Sequence, residues 1–127
     1  MPVQIIKIDD VEYIRKDSIN ESKQAVNVDG LKGVLIRSYA AGVHFGYLKD
    51  EKFTSSGKVV TLLNTRRVFY WEGAASLSQM ALEGVSKPKT CKFSVQLDSN
   101  EIVNVIETIP LTEKALLNLY GVAVWKV

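Results

Sequence analysis

Four short segments between residues 33 and 71 constrain this chain more than anything else in it: GVLIRSYA (33–40), GVHFGYL (42–48), KVVTLLN (58–64) and RRVFYW (66–71). β-Branched and aromatic residues dominate them, and glycines at 33, 42, 46 and 57 punctuate them, the pattern of a meander of antiparallel strands. Between the second and third, KDEKFTSSG (49–57) reads as a polar hairpin loop with Gly57 in its turn. Further on, KFSVQL (92–97) and EIVNVIETI (101–109) alternate as strands do, and AVWKV closes the chain as a terminal strand. At the start, the apolar runs 3–7 and 11–15 flank Asp9 and Asp10 as a hairpin would.

Helices are few, and each carries its own punctuation. Ser18 and Glu21 make a capping box for a short helix from Ile19 to about Val26, which has little to bury and suits a lever or a dimer contact. After Gly73, the residues Leu77, Met80 and Ala81 recur at helical spacing, and Gly84 stops the pattern. Pro110 and Thr112 open a last helix, TEKALLNLY, with Leu116, Leu119 and Tyr120 on one face and Gly121 at its end. VSKPKTCK (85–92), with Pro88 and three lysines, reads as an exposed link. About seven short strands and three short helices, without strand–helix alternation, give an α+β fold with an antiparallel β-sheet core. A single domain over residues 1–127 is expected, with 1–30 available for an oligomer contact.

Composition narrows the function by exclusion. With 16 basic against 14 acidic residues the net charge is +2, too small for a strong polynucleotide binder but compatible with a local basic patch for a small anion. One cysteine, Cys91, and one histidine, His44, leave no internal disulfide and none of the common zinc frameworks, so no metal or other cofactor is expected. No apolar run approaches the roughly 20 residues that span a bilayer, and Asp9 and Asp10 interrupt the place where a signal peptide would stay apolar. A cytoplasmic protein without a membrane partner is the expectation.

Chemistry concentrates in two segments. In Asn64-Thr65-Arg66-Arg67-Val68-Phe69-Tyr70-Trp71, half the chain's arginines stand beside three consecutive aromatics. A guanidinium matches phosphate oxygens in pairs and an aromatic face stacks on a base, so the combination suits a nucleotide. Strand alternation puts Arg66 on a face with Asn64 and Tyr70, and Arg67 on a face with Phe69 and Trp71, so one face serves a core and the other a site. The alternative is a strand with solvated arginines and buried aromatics. Arg37 to Gly46 adds Ser38, Tyr39, His44 and two glycines that let a ligand approach the backbone; its alternative is a tight hairpin with a hydrogen-bonded histidine. No phosphate-binding loop, dinucleotide fingerprint or nucleophile elbow is present. A Cys91–His44 pair has nothing to mark it as a nucleophile and base, and Asp50, Glu51, Glu101 and Glu107 are scattered, so general acid–base catalysis lacks support.

Three stretches, VLIRSYAAGVHFG, NTRRVFYWEGAASLSQMALEGV and EIVNVIETIPLTEKA, resemble a family of small phage and prophage proteins, the likeness running from about Leu35 to Leu111. That family is identified as the Thoeris anti-defence family. The resemblance implies a non-enzymatic sponge that sequesters cyclic ADP-ribose isomers (glycocyclic ADP-ribose) made by bacterial TIR proteins, some members also holding cyclic di- or trinucleotides. It also implies a homo-oligomer, a dimer or a multiple of one, with pockets built from two subunits. Within the shared segments, residue chemistry nominates Arg37, Arg66 and Arg67 for the pyrophosphate, Phe45, Phe69 and Trp71 for stacking, and Asn64, Tyr39 and His44 for polar recognition. Rival readings are a single-stranded nucleic-acid binder, a structural or regulatory phage protein, and a phosphodiesterase for the same nucleotides.

Overall fold

The computed structural model describes residues 29–127; the expected hairpin at 3–15, the helix at 19–26 and, up to residue 28, the oligomer contact assigned to 1–30 lie outside the described residues. Within them are five strands, all paired antiparallel: β1 (Lys32–Ser38), β2 (Gly42–Thr54), β3 (Gly57–Tyr70), β4 (Lys92–Phe93) and β5 (Leu97–Pro110). Two helices, α1 (Leu77–Glu83) and α2 (Glu113–Tyr120), and a 3-10 turn at Pro88–Thr90 complete an α+β fold. No helix among the described residues is long and apolar enough to cross a membrane.

The sheet order is β2-β1-β5-β3-β4, and β2 also pairs with β3, so four strands close into a ring. β5 makes the closure by changing neighbours: Leu97 to Val105 run along β3, and Val105 to Pro110 run along β1. Inside the ring Val34, Ile36, Val60, Leu62, Ile102 and Val105 form one apolar cluster, with Leu48 packed against it. The outer face carries Leu35, Phe45, Val68 and Phe93 onto Met80 and Ala81 of α1 and Leu116 and Leu119 of α2. β1, buried on both faces, therefore shows no clean alternation.

Local chemistry explains the helix boundaries. Ser76 Oγ accepts from Gln79 N–H (3.1 Å) while Gln79 Oε1 accepts from Ala75 N–H (2.8 Å), a reciprocal cap. Gly84 ends α1 at φ 80°, where a Cβ would also meet Asn118 Oδ1 at 2.3 Å, so both backbone and space call for glycine. Thr112 caps α2 by accepting from Ala115 N–H (3.0 Å) and donates to Leu82 O (2.8 Å), fastening the helices together.

Several boundaries differ from the sequence pattern. Residues 49–57 are not a loop: β2 continues to Thr54, β3 begins at Gly57, and the ribbon between is exposed on both faces, which erases its hydrophobic period. The two runs on either side of Thr65 are one strand bent by a bulge, with Asn64 in the left-handed region at φ 50° and the register against β2 shifting between Phe45 and Tyr47. Gly46 lies opposite that bulge, where a Cβ would come within 2.8 Å of Leu63 O. The link at 85–92 is partly core, since Val85 and Cys91 are buried. Of KFSVQL only Lys92–Phe93 pairs as β4, with Leu97 opening β5, and AVWKV contributes one parallel bridge, Phe93 to Val124.

Candidate functional site

The ring opens at the start of β5, where β3 exchanges β5 for β4 as its neighbour. Thr65 is paired with Leu97, whereas Val68 and Tyr70 are paired with β4, and the connection Ser94–Gln96 spans the difference. Here β3 carries two arginines with opposite fates. Arg66 pairs with Phe45 and turns toward the helices; Arg67 pairs with His44 and turns toward the mouth of the ring.

Arg66 is 3 % exposed. Its Nε donates to Ser94 O (2.8 Å), Nη1 to Val122 O (2.7 Å) and Leu119 O (3.3 Å), and Nη2 to Ala123 O (3.4 Å), with the guanidinium over the Phe93 ring. Carbonyls at the end of a helix lack internal partners and carry the negative end of its dipole, so this cation closes α2 and tethers the chain beyond it. Burial draws its pKa down, and the Tyr120 hydroxyl opposes that. Tyr120 in turn donates to Asn64 O at the bulge.

Arg67 is exposed, its backbone N–H donating to Ser94 Oγ (2.8 Å). Its guanidinium makes no hydrogen bond or ion pair with another described residue. It stands at the joint of two adjoining cavities. The polar one, about 180 Å³, is lined by His44, Thr65, Ser94, Leu97 and Asn100, with both arginines contributing. The aromatic one, about 310 Å³, is lined by Phe69, Val95, Trp125 and Lys126. Either alone sits at or below the floor of the roughly 300–1,000 Å³ range of ordinary ligand pockets. Together they make one cleft with Arg67, Ser94 and Val95 in common.

His44 is buried, with Nε2 2.8 Å from Ala41 O; since a carbonyl only accepts, the neutral ring carries its proton on Nε2. Burial lowers its pKa most, the Ala41 carbonyl pulls it back, and the Arg67 charge lowers it again. The unfolded chain therefore binds a proton at about pH 6.5 that the native state refuses until lower pH. The stability this contributes is complete above pH ~6.5 and lost as pH falls through the depressed folded value, at up to ~1.4 kcal/mol per pH unit. Urea unfolding of wild type and His44→Gln between pH 7.5 and 5 should show a steeper acid decline in wild type; parallel declines would contradict the assignment.

Of the nine nominated residues, the cleft gathers His44, Arg66, Arg67 and Phe69, although Arg66 is already held by carbonyls. Phe45 is fully buried in the outer core, edge-on to Phe93 and Tyr120. Trp71 packs on the same core and donates from Nε1 to Ala74 O (3.3 Å). Arg37 is paired with Glu107 (2.9 Å) on β5, Tyr39 is 84 % exposed in the β1–β2 turn, and Asn64 is the bulge residue. Cys91 sits against Glu72 and Lys87, away from the His44–Ala41 contact. Sequence reasoning missed Thr65, Ser94, Val95, Leu97, Asn100, Trp125 and Lys126. Only Trp125-Lys126, a ring beside a cation, carried a usable signal.

No group of three or more His, Cys, Asp or Glu side chains among the described residues is arranged to hold a metal ion. No curated protein and no solved structure matches the chain. A family model described as a domain of unknown function, DUF6948, matches residues 31–119, from the start of β1 to the last turn of α2, and the chain belongs to that family.

Proposed function

We propose that this domain is a non-catalytic binding module that sequesters a cyclic nucleotide signal, a cyclic ADP-ribose isomer or a cyclic di- or trinucleotide, and so blunts a bacterial anti-phage response. In this reading it is a phage or prophage protein acting as a homo-oligomer in the host cytoplasm. The observation that carries the reading is the Arg67 guanidinium, uncommitted within the described fold and placed between a polar and an aromatic cavity. Anion recognition needs such a fork. The resemblance of the 35–111 segments to anti-defence sponges supplies the ligand class. Storage rather than turnover is supported by the surroundings: His44 is turned to a carbonyl and has no carboxylate orienter among the described residues, and Arg67 cannot accept a proton at neutral pH.

The test is thermal unfolding against a panel of cyclic ADP-ribose isomers and cyclic dinucleotides. A ligand at ~100 times its Kd adds ~2.7 kcal/mol, a shift on the order of 10 °C for a domain of this size. The bound compound should then be recovered intact by mass spectrometry after heat release. No shift across the panel would remove the reading, and a cleaved product beyond a protein-free control would make the protein an enzyme.

One observation favours a second reading. Phe69, Tyr70 and Trp125 are exposed beside Lys92 and Lys126, a surface on which a single strand can stack. A polynucleotide would lose affinity steeply between low and moderate salt, whereas a small ligand would lose much less.

A further inference from the structure

The aromatic cavity has an arrangement that hydrophobic burial does not explain. Trp125 lies flat against Phe69, ring centroids 5.3 Å apart and planes within 10°, yet Phe69 remains 65 % and Trp125 47 % exposed. A stacked pair that served only the core would be covered. Instead both rings line the larger cavity, with Arg67 at its polar end and Lys126 on its wall, and the Lys92 ammonium lies 5.3 Å from the Trp125 ring centre. The strap that carries the indole is fixed at its root: Arg66 holds Val122 O and Ala123 O, Val124 bridges Phe93, and the Trp125 backbone N–H donates to Phe93 O at 2.9 Å. Trp125 and Lys126 lie outside residues 31–119, the span matched by the family model.

We infer that the aromatic cavity is a nucleobase subsite: the base stacks on the Phe69–Trp125 pair while the phosphate reaches Arg67 and the polar cavity beside it. The inference rests on the proposed cleft and adds to that reading the place where the base is held, on the Phe69–Trp125 pair. The C-terminal strap becomes the element that sets base preference.

The test compares ADP with inorganic pyrophosphate, which share two phosphates and differ in the base and sugar, by calorimetry at fixed ionic strength. Ribose 5-phosphate against AMP controls for the sugar. Wild type should bind the base-bearing member of each pair roughly ten- to a hundredfold more tightly, the usual range for one base stacked on aromatic side chains. Trp125→Leu and Phe69→Leu, which keep apolar bulk without the π face, should abolish that preference while leaving pyrophosphate affinity unchanged, and retained pyrophosphate binding certifies the fold. Trp125→Phe should keep most of the preference. Equal affinities within each pair in wild type, or a preference that survives both leucine variants, would overturn the subsite and leave the anion cleft standing. Failure of every probe to bind, or binding unaltered by Arg67→Ala, would bring down the cleft reading together with it.

Discussion

Arg66→Ala is expected to destabilise the fold by about 3–5 kcal/mol, the usual cost of removing one member of a buried, hydrogen-bonded charged network. The substitution strips the donor from four carbonyls, those of Ser94, Leu119, Val122 and Ala123. Each bond to a charged group is worth about 1.5–3 kcal/mol, and the full sum is not reached because wild type also bears the cost of burying the cation and because water enters the space left behind. Set against a total stability of about 5–15 kcal/mol for a typical domain, the loss is severe. Arg66→Lys should recover only part of it, since an ammonium cannot offer the planar fork that serves the Ser94 side and the α2 end at once. Urea denaturation with a two-state fit measures the effect, and a loss under ~1 kcal/mol would show that the carbonyls find other partners.

Arg67→Ala, one residue along, should do the opposite. Its side chain is exposed and bonds to no described residue, so stability should stay within ~0.5 kcal/mol of wild type. Affinity for the cyclic nucleotide that gives the largest thermal shift should fall about ten- to a hundredfold, the equivalent of one charge-assisted phosphate contact of ~1.5–3 kcal/mol. Calorimetry reads the binding and a denaturant curve reads the fold. Unchanged affinity would take Arg67 out of the site. The contrast between the neighbours is sharp because it rests on strand parity: adjacent side chains leave opposite faces, one meeting the end of α2 and the other the cleft.

That parity was legible in the sequence, but the identity of each face was not. Nothing within several residues of Arg66 announces that its partners come from Ser94 and from the α2 terminus, which arrive from far along the chain. Helix ends were readable because Gly84, Thr112 and Gly121 act on backbone groups a few residues away. The ring was not, because periodicity reports which face of a strand is buried and not which strand lies at its edge. Asn64 misled in another way: a residue in the left-handed region breaks alternation, so the continuous β3 reads as two runs and Asn64 is displaced from the face it would share with Arg66. Trp125 escaped notice because a five-residue apolar tail looks like a strand whether it pairs along its length or, as here, makes a single bridge and holds out a ring.

Closure of the ring also orders events during synthesis. β1 takes one edge from β2 and the other from β5, so the earliest described strand to leave the ribosome is among the last to be completed. The β1–β2–β3 meander can assemble from near neighbours, but joining β1 to β5 requires closing a loop across most of the domain, and that entropy must be met before any contact rewards it. Until β5 arrives, the amides and carbonyls from Val34 to Ser38 present an open template to any passing chain. After it docks, that template is gone. A folding copy is thus most vulnerable to strand-to-strand aggregation in the interval between assembly of the β1–β2–β3 meander and docking of β5, and a chaperone that shields extended apolar segments would have its greatest effect in that window.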